Sequence, residues 1–312
     1  MAINWFPGHM HKATKSLRNI LPKIDVIVEI LDARIPYSSE NPVIQTFAHD
    51  KFRIKLLNKA DLADSDKVQD WLNYYNQQPK MSAKSLSMLQ KEKVQGLIND
   101  ILEVKKSTEK VGPLNVLCVG IPNVGKSTLI NHWLGRKAVK TGNEPAVTKD
   151  IQKIKLSDDI MLWDSPGILW PKVENPKSGY RLAVTGAIKD TAIDHGDVAY
   201  FAAEFFLNDY FAKMQQRFNW LDSSLAPVEF LEAFAVNSGA LGKKGAVDFD
   251  RISKLFLTEI RSGQITPFTM ETPEMMAKEL VETEAMLDEK AKAKEVRKER
   301  SKQKKGFSKK GR

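Results

Sequence analysis

The 312-residue chain has one cysteine, Cys118, and five histidines. A single thiol has no partner for a disulfide and cannot build a thiolate zinc cluster. Within the apolar run VLCV it reads as a buried, inert core residue. No stretch approaches the ~18 consecutive apolar residues of a spanning helix, and the opening MAINWFPGHMHKATK lacks the apolar core of a secretory signal. A cytoplasmic globular protein is expected, and 42% hydrophobic residues are ample for its core. Net charge is also missing from most of the chain: residues 1 to 288 balance at 36 cations against 36 anions. The whole excess of +9 lies in EKAKAKEVRKERSKQKKGFSKKGR, residues 289 to 312, with twelve Lys or Arg against three Glu. Such a run reads as a basic, disordered tail. Its functional reading is a polyanion contact, nucleic acid first, because clustered cations release counterions from phosphate backbones.

Short apolar runs alternate with helical periodicities. VIVEIL (26–31), FRIKLL (52–57) and LNVLCV (114–119) read as buried strands, each ending in a polar or glycine-rich cluster. Helices are expected from Asp64 or Ser65 to about Tyr75, over roughly 87–104, and from Lys126 to about Leu134. This alternation predicts an α/β fold with a doubly wound, mostly parallel sheet. After DSPGILWPKVENPK the pattern is helical throughout, so the expected organisation is a sheet domain over 1–176, a smaller all-helical domain over 177–288, and the tail.

Gly120-Ile-Pro-Asn-Val-Gly125-Lys126-Ser127 fits G-x-x-x-x-G-K-S between a strand and a helix. That motif wraps phosphates with backbone N–H groups, here from Asn123, Val124 and Gly125 onward to Thr128. Lys126 is placed to reach the β and γ phosphates and the Ser127 hydroxyl to ligate magnesium. Thirty-seven residues after Ser127, Asp164-Ser-Pro-Gly167 ends a strand, supplying an aspartate for magnesium and a glycine N–H for the γ phosphate. Between them GNEPAVTKD offers Thr148 as the switch hydroxyl for magnesium, with Thr141 the weaker candidate. Upstream of all these, Asn58-Lys59-Ala-Asp61 ends a strand with a carboxylate that can accept from both N1–H and the 2-amino group of guanine, while the Lys59 stem lies along the base. Ser82-Ala83-Lys84 matches the short motif whose backbone meets the guanine carbonyl. The order of parts is base reader, SAK, phosphate loop, switch threonine, DSPG, which is that of a circular permutation. An ATP-using phosphate-loop enzyme conflicts with Asp61.

The strings FPGHM (6–10), DARIPYSSENP (32–42), LLNKADL (56–62), GIPNVGKSTLIN (120–131), VTK (147–149) and DSPGILWPK (164–172) resemble the circularly permuted GTPases, and within them the bacterial factors that assemble the large ribosomal subunit. Beyond residue 176 the match thins to GAIKD (186–190) and helical character. The single cysteine argues against relatives that carry zinc sites. One departure is Ala146, where the family usually has glycine. The resemblance implies a monomeric GTPase that hydrolyses GTP to GDP and phosphate, binds the immature large subunit and its rRNA in the GTP state, with the helical domain over 177–288 contacting RNA, is released on hydrolysis, and makes no stable membrane association. It also implies Mg2+ at Ser127, Thr148 and Asp164, and K+ beside Asn123. Gly167 is followed by Ile168, Leu169 and Trp170, none of which can accept a proton where many GTPases place a water-orienting glutamine. Among the histidines His9 and His11, beside the Pro7-Gly8 turn, remain as substitutes, and the resemblance assigns the role to His9. A different class of reading, a signalling module attached by its tail to anionic membrane, is the alternative.

Overall fold

The computed structural model describes residues 8–48, 50–137, 139, 151–170, 173–242 and 245–309, excluding the side chains of 9, 11, 43 and 296–309. Helix α1 (Gly8–Ile20) leads into β1 (Val26–Asp32), α2 (Pro42–Phe47), β2 (Phe52–Asn58), α3 (Ser65–Asn76), β3 (Met81–Ser85), α4 (Lys91–Ser107), β4 (Leu114–Gly120) and α5 (Lys126–Leu134). Strands β5 (Gln152–Lys155) and β6 (Ile160–Asp164) complete a six-stranded sheet ordered β3-β2-β1-β4-β6-β5. All pairings are parallel except that of β5 with β6. The expected doubly wound α/β sheet is therefore present.

Every residue of β1 is buried, as a central parallel strand covered on both faces requires. Its interior Glu29 is made tolerable by Lys55, its register partner on β2, whose ammonium lies 3.2 Å from Glu29 and 2.8 Å from Glu40. Burial pushes the Glu40 carboxyl above its ordinary range despite Lys55. Asp64 caps α3 by accepting from the backbone N–H of Asp66 and Lys67, as its position before the periodic stretch predicts. Cys118 is buried, and burial drives its thiol far above the usual value, which leaves it inert.

Helices α6 (Pro176–Val184), α7 (His195–Asp209), α8 (Phe211–Arg217), α9 (Pro227–Asn237) and α10 (Phe249–Ser262) follow. Ile252, Phe256, Leu257 and Ile260 of α10 form a buried stripe that meets Phe206 of α7 and Phe230 and Phe234 of α9 edge-on. These residues belong to the same hydrophobic core as one face of the sheet.

The compact units of the chain are Met1–Thr272 and Pro273–Arg312, so the boundaries expected near 176 and 288 are not where it divides. The reason is a set of polar contacts that fasten segment 268–271 to the loops after β1 and β2. Phe268 N–H donates to Leu62 O (3.1 Å) and Met270 N–H to Arg34 O (2.8 Å), while the Thr269 hydroxyl donates to Ala33 O (3.0 Å). The Glu271 carboxylate accepts from Ser38 N–H and pairs with Arg181 of α6 at 3.4 Å. The second unit carries α11 (Pro273–Lys309), a single helix, so most of the segment expected as disordered tail is helical.

Candidate functional site

The carboxyl ends of β1, β2, β4 and β6 converge at one edge of the sheet. The phosphate-loop motif leaves β4 at Gly120 and enters α5 at Lys126. A Cβ on Gly120 would lie 2.8 Å from Ile30 O and from Val124 Cγ1, so only glycine lets β4 turn beside β1 here. Asn123 (φ 60°) and Gly125 (φ 99°) are left-handed, turning successive N–H groups toward a common concavity. Ile168 N–H donates to Gly120 O (3.3 Å), and the Gly167 α-carbon sits against Pro122, so DSPG lies on the loop.

Lys126 forms a buried ion pair with one oxygen of Asp164, while the other oxygen, Oδ2, is buried with no hydrogen-bond partner. Burial pushes the Asp164 carboxyl up against the pull of Lys126. An orphaned carboxylate oxygen near the start of the helix that bears Ser127 is a donor set that fits a hard cation such as magnesium. Thr148, with Thr141 and Ala146, lies outside the described residues.

Asn58 joins the two halves of the motif set. Its amide Nδ2 donates to Val124 O in the phosphate loop at 2.7 Å, and its Oδ1 accepts from Met88 N–H at 3.2 Å. Lys59 is left-handed (φ 62°) and directs the chain into the short turn Ala60–Leu62, on which Asp61 is exposed. The Lys59 ammonium lies 2.8 Å from Asp32 Oδ2, and Arg34 grips the same carboxylate at 2.9 and 2.7 Å. Asp32 is buried, which works against its charge, but Arg34 and Lys59 together hold its carboxyl well below the ordinary range. Nothing in the spacing of DARIP announces this clamp. Its signal was the charged pair Asp-x-Arg at the end of an otherwise apolar strand.

The structure brings Asn58, Lys59, Asp61, Asn123 to Thr128, Asp164 and Gly167 to one sheet edge. It does not bring Ser82 and Ala83 there. Both lie inside β3, level with Ile54 and Lys55, and the Ala83 N–H is already taken by Asn76 Oδ1 at 2.7 Å. The segment beside Asn58 is instead Leu86 to Met88: Ala60 N–H donates to Leu86 O (3.2 Å) and Met88 N–H to Asn58. The SAK string therefore marks a strand interior, since β3 runs on to Ser85 and the edge segment starts at Leu86. Asn123, expected beside potassium, donates its Nδ2 to Gly186 O at 2.8 Å, which ties the phosphate loop to the turn after α6. His9 is the second residue of α1, and its side chain lies outside the described residues.

Gly125 is the position where both halves meet. A Cβ there would overlap the Asn58 amide, and φ of 99° disfavours any side chain. Gly125→Ala is expected to weaken GDP binding at least tenfold in equilibrium titration. Wild-type affinity would show that the Asn58 tie does not shape the site.

Residues 115–219 match the family model described as 50S ribosome-binding GTPase. The chain is 41% identical over 282 residues to Ribosome biogenesis GTPase A of Priestia megaterium, covering 88% of this chain and 98% of that one. It is 38% identical over 298 residues to the protein of the same name from Bacillus cereus, covering 91% and 98%. The crystal structure of GNP-bound YlqF from T. maritima aligns with a TM-score of 0.60 and 27% identity over 85% of this chain and 99% of that chain. With the base-reading strand placed ahead of the phosphate loop on one sheet, and relatives of this identity along nearly its whole length, the chain belongs to the ribosome biogenesis GTPase A family of circularly permuted, GTP-hydrolysing proteins.

Proposed function

We propose that the GTP-bound protein docks on the immature large ribosomal subunit, that the subunit stimulates hydrolysis, and that hydrolysis releases the protein. The observation that carries the nucleotide part is the 2.7 Å bond from Asn58 to Val124 O, which makes the base-reading turn and the phosphate loop a single structure. Asp61 accepts from the two guanine donors, Lys59 lies along the base under the hold of Asp32, and backbone from Leu86 to Met88 takes the place given to Ser82 and Ala83 at the guanine carbonyl. Asn123, Val124, Gly125 and Thr128 wrap the phosphates. Lys126 leaves Asp164 for the β and γ phosphates, which frees the whole carboxylate. Ser127, Asp164 and Thr148 would hold magnesium, and Asn123 would lend its amide oxygen to potassium. Bound magnesium would supply charge neutralisation at the phosphates. The Gly167 N–H meets the γ phosphate, and His9 orients the attacking water.

Partner choice is supported by the relatives' names and by the basic residues gathered in 289–312. Among the described residues no helix is long and apolar enough to cross a membrane. Co-sedimentation of the protein loaded with a non-hydrolysable GTP analogue tests the reading. Pelleting with large subunits is expected; pelleting with anionic vesicles and not with subunits would refute it.

A further inference from the structure

Helix α1 carries a surface that the nucleotide site does not use. Residues 1 to 24 contain no Asp or Glu, and Lys12, Lys15 and Arg18 repeat every third residue along the exposed side of α1. The opposite side, Ala13 and Leu17, is buried with Ile27, Leu117 and Val119, the face of the sheet away from α4. Trp163 of β6 packs against this same cluster, and its register partner Lys153 lies over its ring at 5.2 Å. Arg18 lies over the ring of Phe47 at 4.8 Å, and Phe47 is 45% exposed. One sheet face thus presents four exposed cations and two aromatic rings stacked with cations. Of the acids near α1 and Phe47 in sequence, Asp25 pairs with Lys110 and Asp50 with Lys51; Asp150, three residues before Lys153, lies outside the described residues.

We propose that this face, formed by Lys12, Lys15, Arg18 and Lys153 with Phe47 and Trp163, is an RNA-docking surface separate from the basic C-terminal segment. The occupant is a structured RNA because the surface pairs clustered cations for phosphate with planar groups that suit unpaired bases. An anionic membrane would require apolar side chains along the outer side of α1, and Lys12, Lys15, Ser16, Arg18 and Asn19 supply none. The surface also has a consequence for catalysis. His9, the second residue of the same helix, stands three residues before Lys12, about 4.5 Å along its axis. RNA seated on α1 therefore holds the helix that carries the residue assigned to the water, which links docking to stimulation. This last step rests on the subunit-docking reading above.

The test uses the full chain loaded with a GTP analogue and a fluorescent RNA hairpin with an unpaired loop, titrated over a range of KCl. Wild type is compared with the variant Lys12→Gln, Lys15→Gln, Arg18→Gln, Lys153→Gln, and with a control that changes Lys91, Lys93, Lys106 and Lys110 to Gln on or beside α4. The four-site variant should lose about 3 from the slope of log affinity against log salt, at ~0.7–0.9 per phosphate contact, and at least tenfold in affinity. Its GDP affinity and melting temperature should match wild type, and its basal hydrolysis should stay within twofold while subunit stimulation falls. An unchanged slope overturns the proposal, as does an equal loss in the control. So does a loss of binding confined to anionic vesicles. Wild-type protein that binds neither hairpin nor subunits overturns the subunit reading and this proposal together; wild-type binding with an unaltered variant overturns this proposal alone.

Discussion

Alanine in place of His9 is expected to lower subunit-stimulated kcat by about 10²–10³ while GTP affinity stays within about twofold, the pattern of a group used mainly in the transition state. The loss corresponds to about 3–4 kcal/mol of barrier. The structure sharpens the case for a substitute residue. Ile168 and Leu169, which follow Gly167 where a water-orienting side chain often stands, are 2% and 1% exposed and packed into separate hydrophobic clusters. Neither can turn toward a phosphate without opening the core. The water therefore needs a partner from outside the DSPG segment, and the proposed one is His9, at the N-terminal end of α1. Single-turnover hydrolysis on large subunits is the measurement; a wild-type rate for His9→Ala removes it from the mechanism.

The second large effect concerns the base. Asp61→Asn should cost on the order of 2–4 kcal/mol of GTP binding and shift preference to xanthosine triphosphate. A carboxylate accepts both guanine donors, whereas an amide opposite the 2-amino group sets donor against donor; xanthine, with a carbonyl at that position, reverses the match. Asp61 is exposed on its turn and bonds are made around it by Lys59, Ala60 and Leu62, so the substitution leaves the fold intact. Equal GTP affinity in wild type and variant would exclude Asp61 as the selector.

Strands β1, β2 and β4 were legible because central parallel strands are continuous apolar runs, and each motif stands where its strand ends. The Asp64 cap was legible for a similar local reason. Edge strand β5, QKIK, was not: three of its four residues are exposed and only Ile154 packs inward, so no hydrophobic pattern marks it. Ser82-Ala83-Lys84 misled because a three-residue string carries no register, and only the pairing of Leu57 with Ser85 shows that the sheet edge comes later. The attachment of the helices was hidden for another reason. It runs through Arg34, Ser38, Arg181 and Glu271, polar side chains that a sequence reading assigns to the surface and that are buried here because each finds a charged or backbone partner. Charge density in 289–312 argued for disorder, yet Lys, Arg, Glu, Gln and Ala are also strong helix formers, and α11 runs through most of that segment.

Nucleotide-gated docking is the centre of the account, and it is a coupling free energy that must act in both directions. The most direct measurement is the affinity of one protein preparation for purified large subunits with a non-hydrolysable GTP analogue and with GDP. Binding at least tenfold tighter with the analogue is predicted, about 1.4 kcal/mol of coupling, with saturating subunits raising the protein's preference for the analogue over GDP by the same factor. Equal subunit affinity in the two nucleotide states would contradict the account.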